Sequence, residues 1–343
     1  MSRESAAGVN AYTGSYPQIY EKLKTVLLPD EGFAKQYNDL ALPYLKARRE
    51  DLELTGSAEE IRLKASYFKA DDASGNVLIV HGFTEFIDKY GELIYYFLRF
   101  GLNVFMYEQR GHGGSSRQLP DTHLTHVDRF SDYVEDLEKV TASLPQNGLP
   151  WYLYCHSMGG GVSALYLEAH SEPLFRRAAM SSPMLSPSTA GLPRWVPEFI
   201  LGTVNFFGGA KKHFVFSKPY EGREVQTDPD FRSRERFENY QDLKLCTPEH
   251  YNNAPTNSWS YQALRITKKI LAKGRPESVR IPVRIFFSGH DDTVEEKPVE
   301  EFCARLPEAE LIRIPGASHE IFMAYNDSLA GYLTELIGFL LLG

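Results

Sequence analysis

Cysteine is scarce in this chain. Cys155, Cys246 and Cys303 are its three, far apart, with neither C-x-x-C spacing nor a matched histidine pair. No disulfide framework or metal site is read from them, and a reducing compartment is the expectation. Basic charge is also short: 37 lysines and arginines face 45 acidic residues, for a formal net charge of -8. Nucleic-acid binding needs clustered cations to meet phosphates, so no nucleic-acid partner is expected. Long apolar runs are missing too. Met1 to Asp30 is broken by Arg3, Glu4, Tyr12, Glu21 and Lys22, so no secretory leader is read there. The strongest apolar stretch, Leu336 to Leu342, is far below the roughly 20 residues that span a bilayer. It reads as a buried last helix, and the expected location is cytoplasmic.

What is present is the mix of a globular protein, with 43% hydrophobic and 24% charged residues, which excludes disorder and collagen. At 343 residues the chain is long for one domain, and one domain carrying an insert fits that length. A core of this size needs no staple. From Asn76 the pattern alternates. Val77 to Val80 is a continuous apolar run, as in a strand buried on both faces, and helical spacing follows from Tyr90 to Phe100 before a second strand at Asn103 to Tyr107. Asp128 to Leu144 predicts another helix, Trp151 to Tyr154 a strand, and a helix restarts at Gly159. Further strands are expected at Arg177 to Ser181, Val283 to Ser288 and Glu310 to Ile314, with a helix near Lys297 to Arg305. Such alternation implies a mostly parallel, doubly wound α/β sheet. Residues 57–183 and 275–343 form the expected core, 184–274 an inserted helical lid, and 1–56 an N-terminal extension feeding an antiparallel sheet edge.

The chemistry concentrates at three loops. Cys155-His156-Ser157-Met158-Gly159 lies between strand and helix, where a sharp turn pushes a serine out over the sheet edge. Gly159 supplies the small neighbour after Ser157. Cys155 stands where the usual pattern has glycine, a departure that a small side chain can absorb. A carboxylate after a later strand and a histidine after the last one complete a Ser, Asp, His order, and both places are filled: Gly289-His290-Asp291-Asp292 and Pro315-Gly316-Ala317-Ser318-His319. His319 would take the Ser157 proton and return it to the leaving group, while an aspartate holds the imidazole tautomer. Asp291 and Asp292 both remain open for that part. The backbone N–H groups of Met158 and Phe83 are the expected oxyanion donors.

With His81-Gly82-Phe83, Tyr107 to Gly113, the His156 to Gly160 elbow and the two later loops, the chain resembles the α/β-hydrolase group of monoacylglycerol lipases and bacterial lysophospholipases, over roughly Leu54 to Leu342. The resemblance favours Asp292 as the acid, three residues after Gly289, and implies an α/β-hydrolase fold, a serine esterase of single-chain lipids and no cofactor. Arg110, His112 and Ser116 are expected to be structural. Trp195, Phe199, Phe206 and Phe207 offer an apolar surface for an acyl chain, and Lys211 and Lys212 beside them suit peripheral contact with an anionic membrane. A short-chain esterase or an aminopeptidase of the same fold is the alternative enzyme; for the latter, Glu198, Glu221 and Glu224 are the acids available to bind a substrate amine. A non-catalytic binding module with a hydrolase shell is the alternative of another class.

Overall fold

The computed structural model describes residues 14–170, 174–216 and 222–343. Residues 1–13 of the expected extension, and Glu221, lie outside them. The described strands are β1 (Arg49–Thr55), β2 (Arg62–Phe68), β3 (Gly75–Val80), β4 (Leu102–Tyr107), β5 (Leu124–Thr125), β6 (Trp151–His156), β7 (Phe175–Ser181), β8 (Ala254–Pro255), β9 (Val283–His290) and β10 (Ala309–Ser318). Eight form one sheet in the order β1-β2-β4-β3-β6-β7-β9-β10, while β5 and β8 pair apart from it. β1 and β2 are antiparallel at one edge, and β4 through β10 pair in parallel. The α/β-hydrolase architecture is therefore present.

The helices are α1 (Pro17–Lys24), α2 (Phe33–Gln36), α3 (Leu42–Lys46), α4 (Gly91–Arg99), α5 (Ser131–Ala142), α6 (Met158–Ala169), α7 (Trp195–Val204), α8 (Arg234–Leu245), α9 (Asn257–Ile270), α10 (Glu296–Arg305) and α11 (Asn326–Leu342). They cover both faces of the sheet, and the period-two alternation of each strand divides its side chains between two cores. In β3, Val77 and Ile79 join Leu93 and Phe97 of α4 and Leu336 of α11. Leu78 and Val80 join Leu137 of α5 and Val162 of α6 on the other face. Every residue of β3 is buried, which is why Val77 to Val80 form an unbroken apolar run, while the buried Asn76 before them is hydrogen-bonded to Asn103 and Asn147.

β1 makes the antiparallel edge, but the helices before it were not anticipated. Ile19, Tyr20, Leu23 and Phe33 bury in the same core as α4 and α11. Gly338 makes room for them: a Cβ there would come within 2.2 Å of the Tyr16 ring. Between β7 and β9 the chain gives up the alternation and forms α7, α8 and α9. α9 is amphipathic and packs Ala263, Ile266 and Ile270 into the core beside α6.

Candidate active site

The chain turns back at β3, with β4 on one side and β6 on the other, so a crevice forms at the carboxyl ends of these strands. Ser157 sits there, between β6 and α6, with φ 49° and ψ −119°. That backbone region is costly for any residue with a Cβ, by about 1–3 kcal/mol, and here the surroundings fix it. The Ser157 N–H donates to the Ser181 carbonyl at 3.1 Å, and its own carbonyl accepts from Met184 at 2.7 Å and Gly160 at 2.8 Å. A side chain on Gly159 would place Cβ 2.1 Å from the Val80 carbonyl oxygen, and one on Gly160 would fall 2.4 Å from Pro183. Glycine at these positions lets α6 start directly against β3 and the loop after β7. Cys155 tolerates the place usually given to glycine because its side chain points into the core, where burial pushes the thiol up to about 12.

His319 follows β10 and donates or accepts through both ring nitrogens. Nε2 lies 2.8 Å from Ser157 Oγ, and Nδ1 lies 2.8 Å from Asp291 Oδ2. The acid beside the histidine is thus Asp291, a correction to the expectation of Asp292. The reason is the turn after β9. Asp291 points inward, its side chain wholly covered, and its carboxylate also accepts from the Ser288 hydroxyl and from the N–H groups of Thr293 and Val294, each at 3.0 Å. Asp292, one residue on, points outward and is exposed, with the Thr293 hydroxyl 3.2 Å away. Burial works to raise the Asp291 pKa, but the His319 bond and charge and the two backbone donors leave it below the usual carboxylate value. For His319, burial opposes protonation; the bond to Asp291 and its charge, with Glu320 and Glu85, outweigh burial and raise the imidazole above its ordinary value.

The Phe83 and Met158 N–H groups have no acceptor among the described residues. The Phe83 turn is held by Glu85, whose carboxylate accepts from the Gly82 N–H and the Tyr90 hydroxyl. His81 is a turn residue: its Nε2 accepts from the Gln109 N–H at 2.8 Å, and burial lowers its pKa to about 4. His156 is likewise buried and lowered to about 4. Arg110 is tied to Asp136 at 2.6 Å, and His112 Nδ1 lies 3.0 Å from the Arg110 carbonyl.

Sequence reasoning missed a chain of buried charges behind the histidine. Glu85 and Glu320 share Lys89, and Glu320 also binds Arg232, which binds Asp228 at 2.6 Å. Their positions span Glu85 to Glu320, and no local motif joins them. The Lys89 and Arg232 charges hold Glu320 well below the carboxylate range, although burial alone would raise it.

Trp195, Phe199, Phe206 and Phe207 are largely exposed side chains. They lie on α7 and the turn after it, 68%, 69%, 84% and 80% exposed, and Phe199, Phe206 and Phe207 border a shallow surface depression with Tyr261. Of the acids considered for a peptidase, Glu198 pairs with Lys268 at 2.7 Å and Glu224 binds Lys244. Among the described residues no cluster of three His, Cys, Asp or Glu side chains could hold a metal, and no helix is long and apolar enough to cross a membrane.

The family model for the serine aminopeptidase, S33 matches residues 71–326. Lysophospholipase L2 of Escherichia coli K12 is 29% identical over 307 residues, covering 85% of this chain and 87% of that protein. The monoglyceride lipase of Saccharomyces cerevisiae is 26% identical over 282 residues, 76% and 82% of the respective chains. The crystal structure of a soluble variant of that yeast lipase with a substrate analog has a TM-score of 0.66 at 18% identity, covering 85% of this chain and 95% of the other. A carboxyl esterase from Bacillus coagulans also scores 0.66, at 17% identity and coverages of 85% and 97%. At these identities the structures speak to fold alone.

Proposed function

We propose, for a chain that belongs to the serine aminopeptidase (S33) family of α/β hydrolases, that it cleaves the acyl ester of single-chain lipids, a lysophospholipid or a monoacylglycerol, through an acyl-enzyme on Ser157. The observation that carries the reading is the unbroken line of 2.8 Å contacts from Ser157 Oγ through His319 to Asp291 at the carboxyl end of the parallel strands. His319 removes the serine proton as Oγ attacks the ester carbonyl. The N–H groups of Phe83 and Met158 receive the oxyanion, each contributing about 3 kcal/mol to the transition state. The imidazolium, steadied by Asp291, then protonates the departing alcohol, and water repeats the cycle to free the fatty acid.

Residues 184–274 act in this reading as a lid over the crevice. Its exposed aromatics would meet a membrane rather than the acyl chain, since they face solvent, and Lys211 and Lys212 next to them suit anionic lipid. The resemblance to Lysophospholipase L2 over most of both chains favours a lipid ester over a peptide, as does the pairing of Glu198 and Glu224 with lysines. The test is product analysis on lysophospholipids, monoacylglycerols and short esters, with fluorophosphonate labelling. Release of long-chain fatty acid and labelling of Ser157 are expected, both lost in Ser157→Ala. Faster turnover of acetyl or butyryl esters than of lauroyl esters would defeat the lipid reading, and absence of labelling in folded protein would defeat the catalytic one.

A further inference from the structure

The Phe83 N–H can receive an oxyanion only while the turn around it keeps its shape, and that turn holds an unfavourable conformation. Phe83 and Thr84 are the central residues of a tight turn from Gly82 to Glu85, and Thr84 has φ 58°. A positive φ at the third residue of a turn suits glycine or asparagine; other residues favour the arrangement with the central peptide flipped and φ negative. A β-branched residue there is a genuine outlier. Such conformations persist only where the surroundings hold them, and they gather at functional sites.

The restraint comes from the strained residue itself. The Thr84 hydroxyl donates to the Phe83 carbonyl at 2.7 Å. Among the described residues no backbone N–H donates to that carbonyl, and the Thr84 N–H of the same peptide has no acceptor. The peptide on the other side of Phe83 is fixed separately. His81 Nε2 accepts from the Gln109 N–H, so the ring proton sits on Nδ1, which donates to the Gly82 carbonyl at 2.7 Å. In a trans peptide the carbonyl and the N–H point opposite ways, so this bond turns the Phe83 N–H away from the His81 ring. Glu85 closes the turn through the Gly82 N–H, and the Phe83 ring packs against Trp259 with centroids 4.1 Å apart. Only the peptide between Phe83 and Thr84 depends on the threonine hydroxyl.

Resting on the acyl-enzyme reading above, we infer that Thr84 is a positioning residue for the oxyanion donor: its hydroxyl holds the Phe83–Thr84 peptide in the orientation that keeps the Phe83 N–H directed at the developing negative charge. Thr84 acts through Phe83 rather than on the ester. Glycine would remove the strain and the bond together.

Three variants separate the bond from the strain. Thr84→Gly loses both, Thr84→Val loses the hydroxyl but keeps the branched side chain, and Thr84→Ser keeps the hydroxyl. On a long-chain monoacylglycerol in neutral detergent, kcat of Thr84→Gly and of Thr84→Val should each fall by about ten- to a hundredfold, since a donor out of place loses part of the roughly 10²–10³ that a whole one supplies. KM should hardly move, because the interaction is made in the transition state. A long-chain trifluoromethyl ketone bonds its carbonyl carbon to Ser157 Oγ, the serine proton passes to His319, and the carbonyl oxygen becomes an oxyanion. Affinity for that ketone should fall in step with kcat, and Thr84→Ser should restore both. Melting temperature should rank Thr84→Gly above Thr84→Val, since glycine alone suits φ 58°. Wild-type kcat in Thr84→Gly, equal losses in Thr84→Ser and Thr84→Val, or activity that follows melting temperature while ketone affinity stays constant would each overturn the positioning role. If the wild type neither releases fatty acid from long-chain esters nor binds the ketone, the acyl-enzyme reading fails instead.

Discussion

Asp291 and His319 are joined Oδ2 to Nδ1 at 2.8 Å, and the same carboxylate is gripped by two backbone N–H groups and a serine hydroxyl. The acid is therefore fixed before substrate arrives, and the imidazole is fixed by it. Orientation of this kind is what allows a neutral histidine to present Nε2 to a serine hydroxyl.

Asp291→Asn should lower kcat by about 10⁴-fold, since the amide favours the wrong tautomer. Asp292→Asn should lose at least a hundredfold less on the same substrate. Steady-state kinetics of the two variants decide it; equal losses would return the orienting part to Asp292.

The pH profile should carry the charge behind the histidine. His319 accepts a proton only when neutral, and its raised pKa places the acid limb of kcat/KM above the ordinary imidazole value. Glu320 is one of the charges raising it, so Glu320→Gln should move that limb to lower pH. A limb that stays in place, measured on folded variant, would show that Glu320 acts on structure alone.

Two substitutions of the nucleophile separate chemistry from strain. Both Ser157→Ala and Ser157→Gly should abolish turnover, by about 10⁶-fold. At φ 49° only glycine relieves the backbone, so Ser157→Gly is expected to be more stable than Ser157→Ala by about 1 kcal/mol. Chemical denaturation would report it.

Gly159→Ala should be severely destabilising, by about 3 kcal/mol or more, because the added Cβ meets the Val80 carbonyl rather than a side chain that can swing away. Thermal melting that matches wild type would refute the close approach of α6 to β3.

Membrane contact is checked by sedimentation with anionic vesicles. Replacing Phe206 and Phe207 by serine should reduce the bound fraction at least tenfold, since burying each ring is worth about 1.5–3 kcal/mol. Binding that is unaffected would leave the patch without a membrane role.

Strands such as β3 and β6 were legible because burial on both faces demands unbroken apolar runs, and local sequence records that demand. The elbow was legible because its residues are contiguous, Gly159 standing two places after Ser157, although the contact that requires the glycine is with the distant Val80 carbonyl. The helices α1 to α3 were not, since their partners α4 and α11 lie far along the chain.

By itself, the sequence determined the doubly wound sheet, the place of Ser157 on a strand-to-helix turn, and His319 after the last strand, all of which follow from short-range pattern and order. Tertiary structure alone decided which of two adjacent aspartates faces the imidazole, that Lys89 and Arg232 converge on Glu320, and that the aromatics of α7 face outward. Those outcomes depend on the direction of a side chain leaving a turn and on contacts across 88 and 231 residues, where neither composition nor periodicity leaves a trace.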